Sequence, residues 1–270
     1  MSAQERIFEE YAIVVENLVT YFGERRILDD ISIKVRRGEV LVVLGGSGCG
    51  KTTFLRHLIG LLHPHSGHIY MQGKDITTLG EDEMNGIRKK MGMLFQGAAL
   101  FNSMTLGDNV ALPLREHTRL AESTIKIMTR MKLGLVGLTG FDGFKPAQLS
   151  GGMKKRAGLA RALALDPEIL FFDEPSAGLD PIIAAEIDRL ILRLKRAFKM
   201  TMVIVTHEME SAFLIADRIL MLDGGSVIAL GRPDEIRTNP HSRVQQFLQR
   251  EPNADTQDDT KYLESVTAWA

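Results

Sequence analysis

Five apolar residues, Val40–Leu44, run directly into Gly45-Gly-Ser-Gly-Cys-Gly-Lys51-Thr52, and Leu55, Leu58, Ile59 and Leu62 then recur at i, i+3, i+4 and i+7. An unbroken apolar run is what a parallel strand covered on both faces requires, and the later spacing is that of a helix with one buried stripe. Strand, glycine turn and helix in that order give G-x-x-x-x-G-K-[ST] the context in which it binds phosphate. Gly45, Gly46, Gly48 and Gly50, with Ser47 and Cys49 between them, let backbone N–H groups converge on phosphate oxygens at the positive end of the helix. Lys51 is then expected to reach the β and γ phosphates of a bound nucleotide and Thr52 to ligate Mg²⁺, with Thr53 beside them.

Two more apolar runs end in reactive side chains. Ile169-Leu-Phe-Phe172 leads to Asp173-Glu174, and Val203-Ile-Val205 leads to Thr206-His207. Open α/β sheets bind ligands beyond the carboxyl ends of their strands, so these ends are expected to meet the phosphate loop. Asp173 is expected to hold Mg²⁺ through water, and Glu174 to polarise the attacking water. Alone, the acidic pair could equally cap the next element; the phosphate loop favours the catalytic reading.

The rest of the chain divides by periodicity. Ile31, Ile33 and Val35 alternate with polar residues, and Ile13–Leu18 can pair with them, which predicts an N-terminal antiparallel sheet. Between about residues 97 and 155 the strand signal gives way to helical spacing, carried by Thr124, Ile127, Met128 and Met131 as a stripe. Met209, Ala212, Phe213 and Ala216 predict a further helix, and Asp223-Gly-Gly225 joins two apolar runs as a hairpin. The expected organisation is one α/β domain over 1–232, with a mostly parallel core sheet, an N-terminal antiparallel β subdomain and an inserted helical subdomain. A C-terminal segment covers 233–270. Within that segment Pro233–Arg250 reads as helical, 251–260 as a polar linker, and Tyr262, Leu263, Val266 and Trp269 as a short apolar stripe that would dock on a neighbouring ATPase subunit or an accessory protein.

In the order of its motifs the chain resembles the ABC transporter ATPases over nearly 220 residues. Leu149-Ser-Gly-Gly-Met153 looks like the signature LSGGQ, Ser176-Ala-Gly-Leu-Asp180 looks like the D-loop, Gln96 matches the Q-loop glutamine and His207 the switch histidine. The resemblance implies a P-loop NTPase fold, ATP hydrolysis with Mg²⁺, and a homodimer in which Ser150, Gly151 and Gly152 of one copy close over nucleotide held by the other. It also implies a catalytic role for Gln96, which joins Thr52 and Asp173 at the metal, and for His207 at the γ phosphate. Asp180 lies at the nucleotide interface, and Phe22 or Tyr21 stacks on adenine. Met153 departs from the signature glutamine, so a polar contact there gives way to packing. Leu106–His117 resembles the corresponding stretch of the lipid-asymmetry (Mla) and MCE-type ATPases, which serve phospholipid transport between bacterial membranes. The implied partners are a second copy of the chain, membrane permease subunits and an accessory subunit, at the cytoplasmic face of the inner membrane. The rivals are the ATPase of a polar-nutrient importer and a soluble non-transport ABC ATPase. The latter commonly has two cassettes or a coiled-coil insertion, whereas this chain has one set of motifs and no sustained heptads.

Bulk properties narrow the classes further. Thirty-three basic against 34 acidic residues, a net charge of −1, point away from nucleic acid as a partner. Lys154, Lys155, Arg156 and Arg161 form a basic cluster that reads as a solvated helix face. The single cysteine, Cys49, rules out an internal disulfide; it reads as a filler of a small P-loop position, with the alternative that a helix N-terminus lowers its pKa and makes it reactive. No apolar run approaches the ~20 residues a spanning helix needs, and the N-terminus lacks a secretory pattern, so another chain is expected to span the membrane.

Overall fold

The computed structural model describes residues 3–251, and the docking stripe expected at 262–269 lies outside them. The chain begins with α1 (Ala3–Glu10), β1 (Tyr11–Phe22), β2 (Arg25–Arg36), β3 (Val40–Gly45) and α2 (Lys51–Leu58). It continues through β4 (Ser66–Met71), β5 (Lys74–Asp75), α3 (Glu81–Arg88) and β6 (Met91–Leu94). Helices α4 (Leu106–His117), α5 (Glu122–Leu135) and α6 (Gly151–Ala162) follow, and residues 95–168 contain no strand. The remainder alternates: β7 (Ile169–Asp173), α7 (Pro181–Phe198), β8 (Thr201–Thr206), α8 (Met209–Ile215), β9 (Arg218–Asp223), β10 (Ser226–Gly231), α9 (Pro233–Arg237) and α10 (Ser242–Gln249).

Two sheets result. The first, in order β2-β1-β4-β5, is antiparallel, with Ile13 opposite Val35, Val15 opposite Ile33 and Leu18 opposite Ile31, the pairing expected from alternation. The second, β10-β9-β3-β8-β7-β6, is parallel except for the terminal hairpin. Its strands are apolar throughout because each face is covered. Val40, Val42 and Leu44 join one core with α6, α7 and α8, while Leu41 and Val43 join a second core with α2 and the antiparallel sheet. Successive strand residues point to opposite faces, so β7 and β8 divide in the same way: Leu170, Phe172, Met202 and Ile204 to the first core, Ile169, Phe171, Val203 and Val205 to the second.

Two helical expectations need correction. Leu55, Leu58 and Ile59 are buried as the stripe predicts, but α2 ends at Leu58. Gly60 takes φ +67° and turns the chain, leaving Leu62 outside the helix. In α5 the helix is present but most of the stripe faces outward: Ile127 and Met131 are 61% and 64% exposed and Thr124 is exposed, Met128 alone packs inward, and Ile125, Thr129, Lys132 and Leu133 are buried. The subdomain buries a mixed face because the Lys132 ammonium stays at the rim and pairs with Asp166, its stem lying along the packed surface. Ile125 packs there with Ala111, Leu114 and Ala164 in a small separate core.

Candidate functional site

Parallel pairing sets the site. Leu44 of β3 lies opposite Thr206 of β8, Val205 opposite Asp173 of β7, and Phe172 opposite Leu94 of β6, so the chain segments leaving all four strands emerge at one edge. The phosphate loop leaves β3 there. Gly48 and Gly50 have φ of +75° and +105°, and a Cβ on Gly45 would stand 2.3 Å from the Leu222 carbonyl, so a side chain at Gly45 has no room. Gly50 precedes α2 with no side-chain cap, which leaves first-turn N–H groups for an anion. Lys51 is buried, and its Nζ donates to the carbonyl oxygens of Gly45 at 2.9 Å and Gly46 at 2.8 Å.

The carboxylates lie beside this loop. Thr52 Oγ1 donates to Asp173 Oδ1 at 3.4 Å. Burial, reinforced by neighbouring Glu174, pushes the Asp173 carboxyl above the usual range. A half-buried carboxylate strained by a second one and touching a threonine hydroxyl is an oxygen donor set suited to a hard divalent cation, so the residues fit Mg²⁺. Glu174 Oε1 pairs with His207 Nδ1 at 2.9 Å. Glu174 Oε2 accepts from Thr206 Oγ1 at 3.2 Å and from the His207 N–H at 3.4 Å.

A cavity of about 1300 Å³ gathers most of the expected residues. Phe22 stands at one end beside Arg25 and Ile27; Gly46, Ser47, Gly48, Gly50, Lys51, Thr52 and Thr53 line it along the loop; Gln96, Glu174 and His207 complete it. Phe22 is 51% exposed toward this space, whereas the Tyr21 hydroxyl accepts from Arg26 Nε at 2.9 Å and its ring packs edge-on against His65. Gly45 and Cys49 support the loop from behind, outside the lining. Cys49 is buried, as a filler of its small P-loop position, and the alternative of a reactive thiol fails because burial raises its pKa and outweighs the pull of Lys51.

The signature residues stand elsewhere. Ser150 caps α6, its Oγ accepting from the Met153 N–H at 3.3 Å, and Ser150 and Gly151 are exposed but do not line the cavity. Gly152 is buried where a Cβ would come within 2.5 Å of Ile183, and Met153 packs against the core. Asp180 caps α7 through the N–H groups of Ile182 and Ile183, both at 3.1 Å, with its neighbours Leu179 and Pro181 on the cavity wall.

Several contributors were not legible in the sequence. The basic cluster is not a solvated face: Lys155 is buried and donates to the Glu174 carbonyl at 2.9 Å, Arg156 pairs with Glu186, and Arg161 donates to the carbonyls of Ala98 and Ala99. Asp188 of α7 accepts from Ser211 of α8 at 2.7 Å at the cavity wall, joining the helices that follow Asp180 and His207. Gln246, Phe247 and Arg250, from α10 and its cap, also line the cavity, and Val244 anchors that helix in the main core. Only Phe247 carried a sequence signal, as one of three apolar residues, with Val244 and Leu248, in an otherwise polar helix.

A family model described as ABC transporter matches residues 28–177, which span the phosphate loop, the signature and both carboxylates. The chain belongs to the ABC transporter family. It is an ATPase of that family, with the ABC-type α/β fold expected from its motifs. It is 44% identical over 239 residues to the intermembrane phospholipid transport system ATP-binding protein MlaF of Haemophilus influenzae, covering 88% of this chain and 90% of that protein. It is 45% identical over 237 residues to the probable ribonucleotide transport ATP-binding protein mkl of Mycobacterium leprae, covering 88% of this chain and 68% of that one. Among solved structures it resembles the dimeric, post-hydrolysis ATP-binding cassette MJ0796 bound to ADP and Pi, with TM-score 0.76 and 30% identity over 82% of this chain and 98% of that one.

Proposed function

We propose that this ABC ATPase works as a homodimer with Mg²⁺ and powers a membrane permease that moves phospholipid between bacterial membranes. The observation that carries the dimer is the split site: one cavity holds the phosphate loop, carboxylate and histidine, while exposed Ser150 and Gly151 lie outside it. Phosphate binding by the loop needs no second copy, but the N-terminus of α6 has a phosphate to meet only if another subunit presents one.

In the proposed cycle Phe22 stacks on the adenine, and the loop N–H groups with Lys51 hold the β and γ phosphates, Lys51 exchanging its loop carbonyls for phosphate oxygens. Thr52, Asp173 and Gln96 would hold Mg²⁺, which would neutralise charge developing on the phosphates. Glu174 orients and polarises the attacking water. His207, whose Nδ1 faces Glu174, keeps Nε2 for the γ phosphate. Ser150, Gly151 and Gly152 of the second copy complete the phosphate cage, and Asp180 rigidifies the interface as the cap of α7.

Phospholipid is favoured by the near full-length match to MlaF and by the Leu106–His117 segment. No helix among the described residues is long and apolar enough to cross a membrane, which agrees with peripheral attachment to a permease at the inner membrane. The relative named for ribonucleotide transport is equally similar in identity but is matched over less of its length. Isolating the assembled complex from its native membrane tests the choice: copurifying permease with bound phospholipid is expected, and a complex carrying ribonucleotide cargo instead would overturn the lipid reading.

A further inference from the structure

Lys155 lies on α6, one turn past the N-terminus capped by Ser150. Its side chain turns inward, is 6% exposed as a residue, and donates from Nζ to the main-chain oxygen of Glu174 at 2.9 Å. A lysine is rarely buried unless opposite charge faces it. Desolvation draws its pKa down here, while Glu174, Asp173 and Glu208 oppose that shift. The contact also falls on constrained backbone. Glu174 has φ +49°, in the left-handed region that non-glycine residues seldom occupy. Its N–H donates to the Val205 carbonyl at 2.9 Å, so β8 holds the residue through its N–H and Lys155 holds it through its carbonyl.

We propose that Lys155 is a positioning residue that holds Glu174 in its left-handed turn from the signature helix, coupling the attack on one ATP to the seating of Ser150 on the other. The coupling rests on the homodimer reading above. Lys155 does not line the cavity; it acts through the backbone of Glu174. Ser150 and Lys155 share one rigid helix, so a displacement at its exposed end is transmitted to the turn that aims the carboxylate. The signature motif thereby gains a cis role besides its trans one.

The test compares Lys155→Met with Lys155→Arg in the full-length chain within its assembled complex. Lys155→Met is expected to lower kcat at least about 10-fold and leave KM for ATP within about 3-fold, with the Hill coefficient falling toward one. ATP-driven dimerisation, read in a Glu174→Gln background, should be unchanged by Lys155→Met. Lys155→Arg, which keeps the charge and the donors, should restore kcat to within about 3-fold of the unmodified chain. If Lys155→Met lowers Tm, rates are compared well below the Tm of either variant. Unchanged kcat in Lys155→Met, equal losses in Met and Arg, or KM rising in step with the fall in kcat would overturn the proposal. Failure of Glu174→Gln alone to dimerise in ATP would strike the homodimer reading instead, and the kcat and KM split would then judge the local positioning by itself.

Discussion

The phosphate loop and the signature turn use the same device, small residues at a helix N-terminus, yet they stand in opposite circumstances. At the loop, four strands deliver Lys51, Asp173, Glu174 and the segment bearing Gln96 to one edge, where Lys51 meets the carbonyls of Gly45 and Gly46 and Thr52 meets Asp173. At the signature, Ser150 caps its own helix and faces solvent. A helix end surrounded by converging side chains is a site already assembled; one left exposed is half a site. On the homodimer proposed above, the loop is complete within one copy and the signature is completed by a second.

The sharpest way to break that comparison is to damage each function of the assembled half in turn. Lys51→Ala should remove productive ATP binding, lowering kcat/KM by about 10³-fold or more, because a charge aimed at developing phosphate charge is lost. Glu174→Gln should lower kcat about 10²–10³-fold while ATP still binds and the closed dimer accumulates. Turnover measured beside sedimentation in ATP and Mg²⁺ separates the two, and near-normal turnover in Glu174→Gln would remove its assignment as base.

A smaller effect is expected at the nucleotide's other end. Phe22→Ala should raise KM for ATP about 10-fold, in line with ~1–3 kcal/mol for a stacked base, whereas Tyr21→Ala should change KM little because its ring is engaged with Arg26 and His65. Equal changes in the two variants would show that the cavity wall, and not the ring of Phe22, sets affinity.

The loop half also contains a buried histidine that the signature half lacks. His57 of α2 pairs through Nε2 with Thr20 of β1 at 2.7 Å and through Nδ1 with the Leu62 carbonyl at 2.9 Å. The carbonyl can only accept, so Nδ1 carries the proton and Nε2 accepts from Thr20. Burial holds the His57 pKa below its ordinary value. The unfolded chain therefore takes up the proton first as pH falls, so stability drops from about pH 6.5 down to the lower folded pKa, by at most about 1.4 kcal/mol per pH unit. Urea midpoints at pH 7.5 and 5.5 should separate less in His57→Gln than in the unmodified chain; equal separation would show that this histidine does not carry the pH dependence.

The least change is expected at the signature's single departure from its motif. Met153 packs on the core while the groups proposed to face phosphate are Ser150 and backbone, so Met153→Gln should keep ATPase activity within about 3-fold in the assembled transporter. A loss beyond about 100-fold, some 2.7 kcal/mol, would give Met153 an active part.

What the sequence alone determined is what depends on neighbours along the chain. The strand, glycine turn and helix around Lys51 are local, and the acidic pair after Phe172 and the histidine after Thr206 sit at strand ends that hydrophobic runs mark by themselves. Periodicity established that α5 is a helix, but not that Ile127 and Met131 face solvent, because an apolar stripe is defined by spacing and its partner only by packing. Composition likewise showed basic residues at 154–156 and could not tell a solvated cluster from a buried cation on Glu174, nineteen residues away in sequence. Cys49 at a helix start left both an inert filler and a reactive thiol open, and burial, which raises its pKa, decided for the filler. Tertiary structure decided these points because desolvation and contact act through space, between residues whose separation along the chain carries no record of how far apart they end.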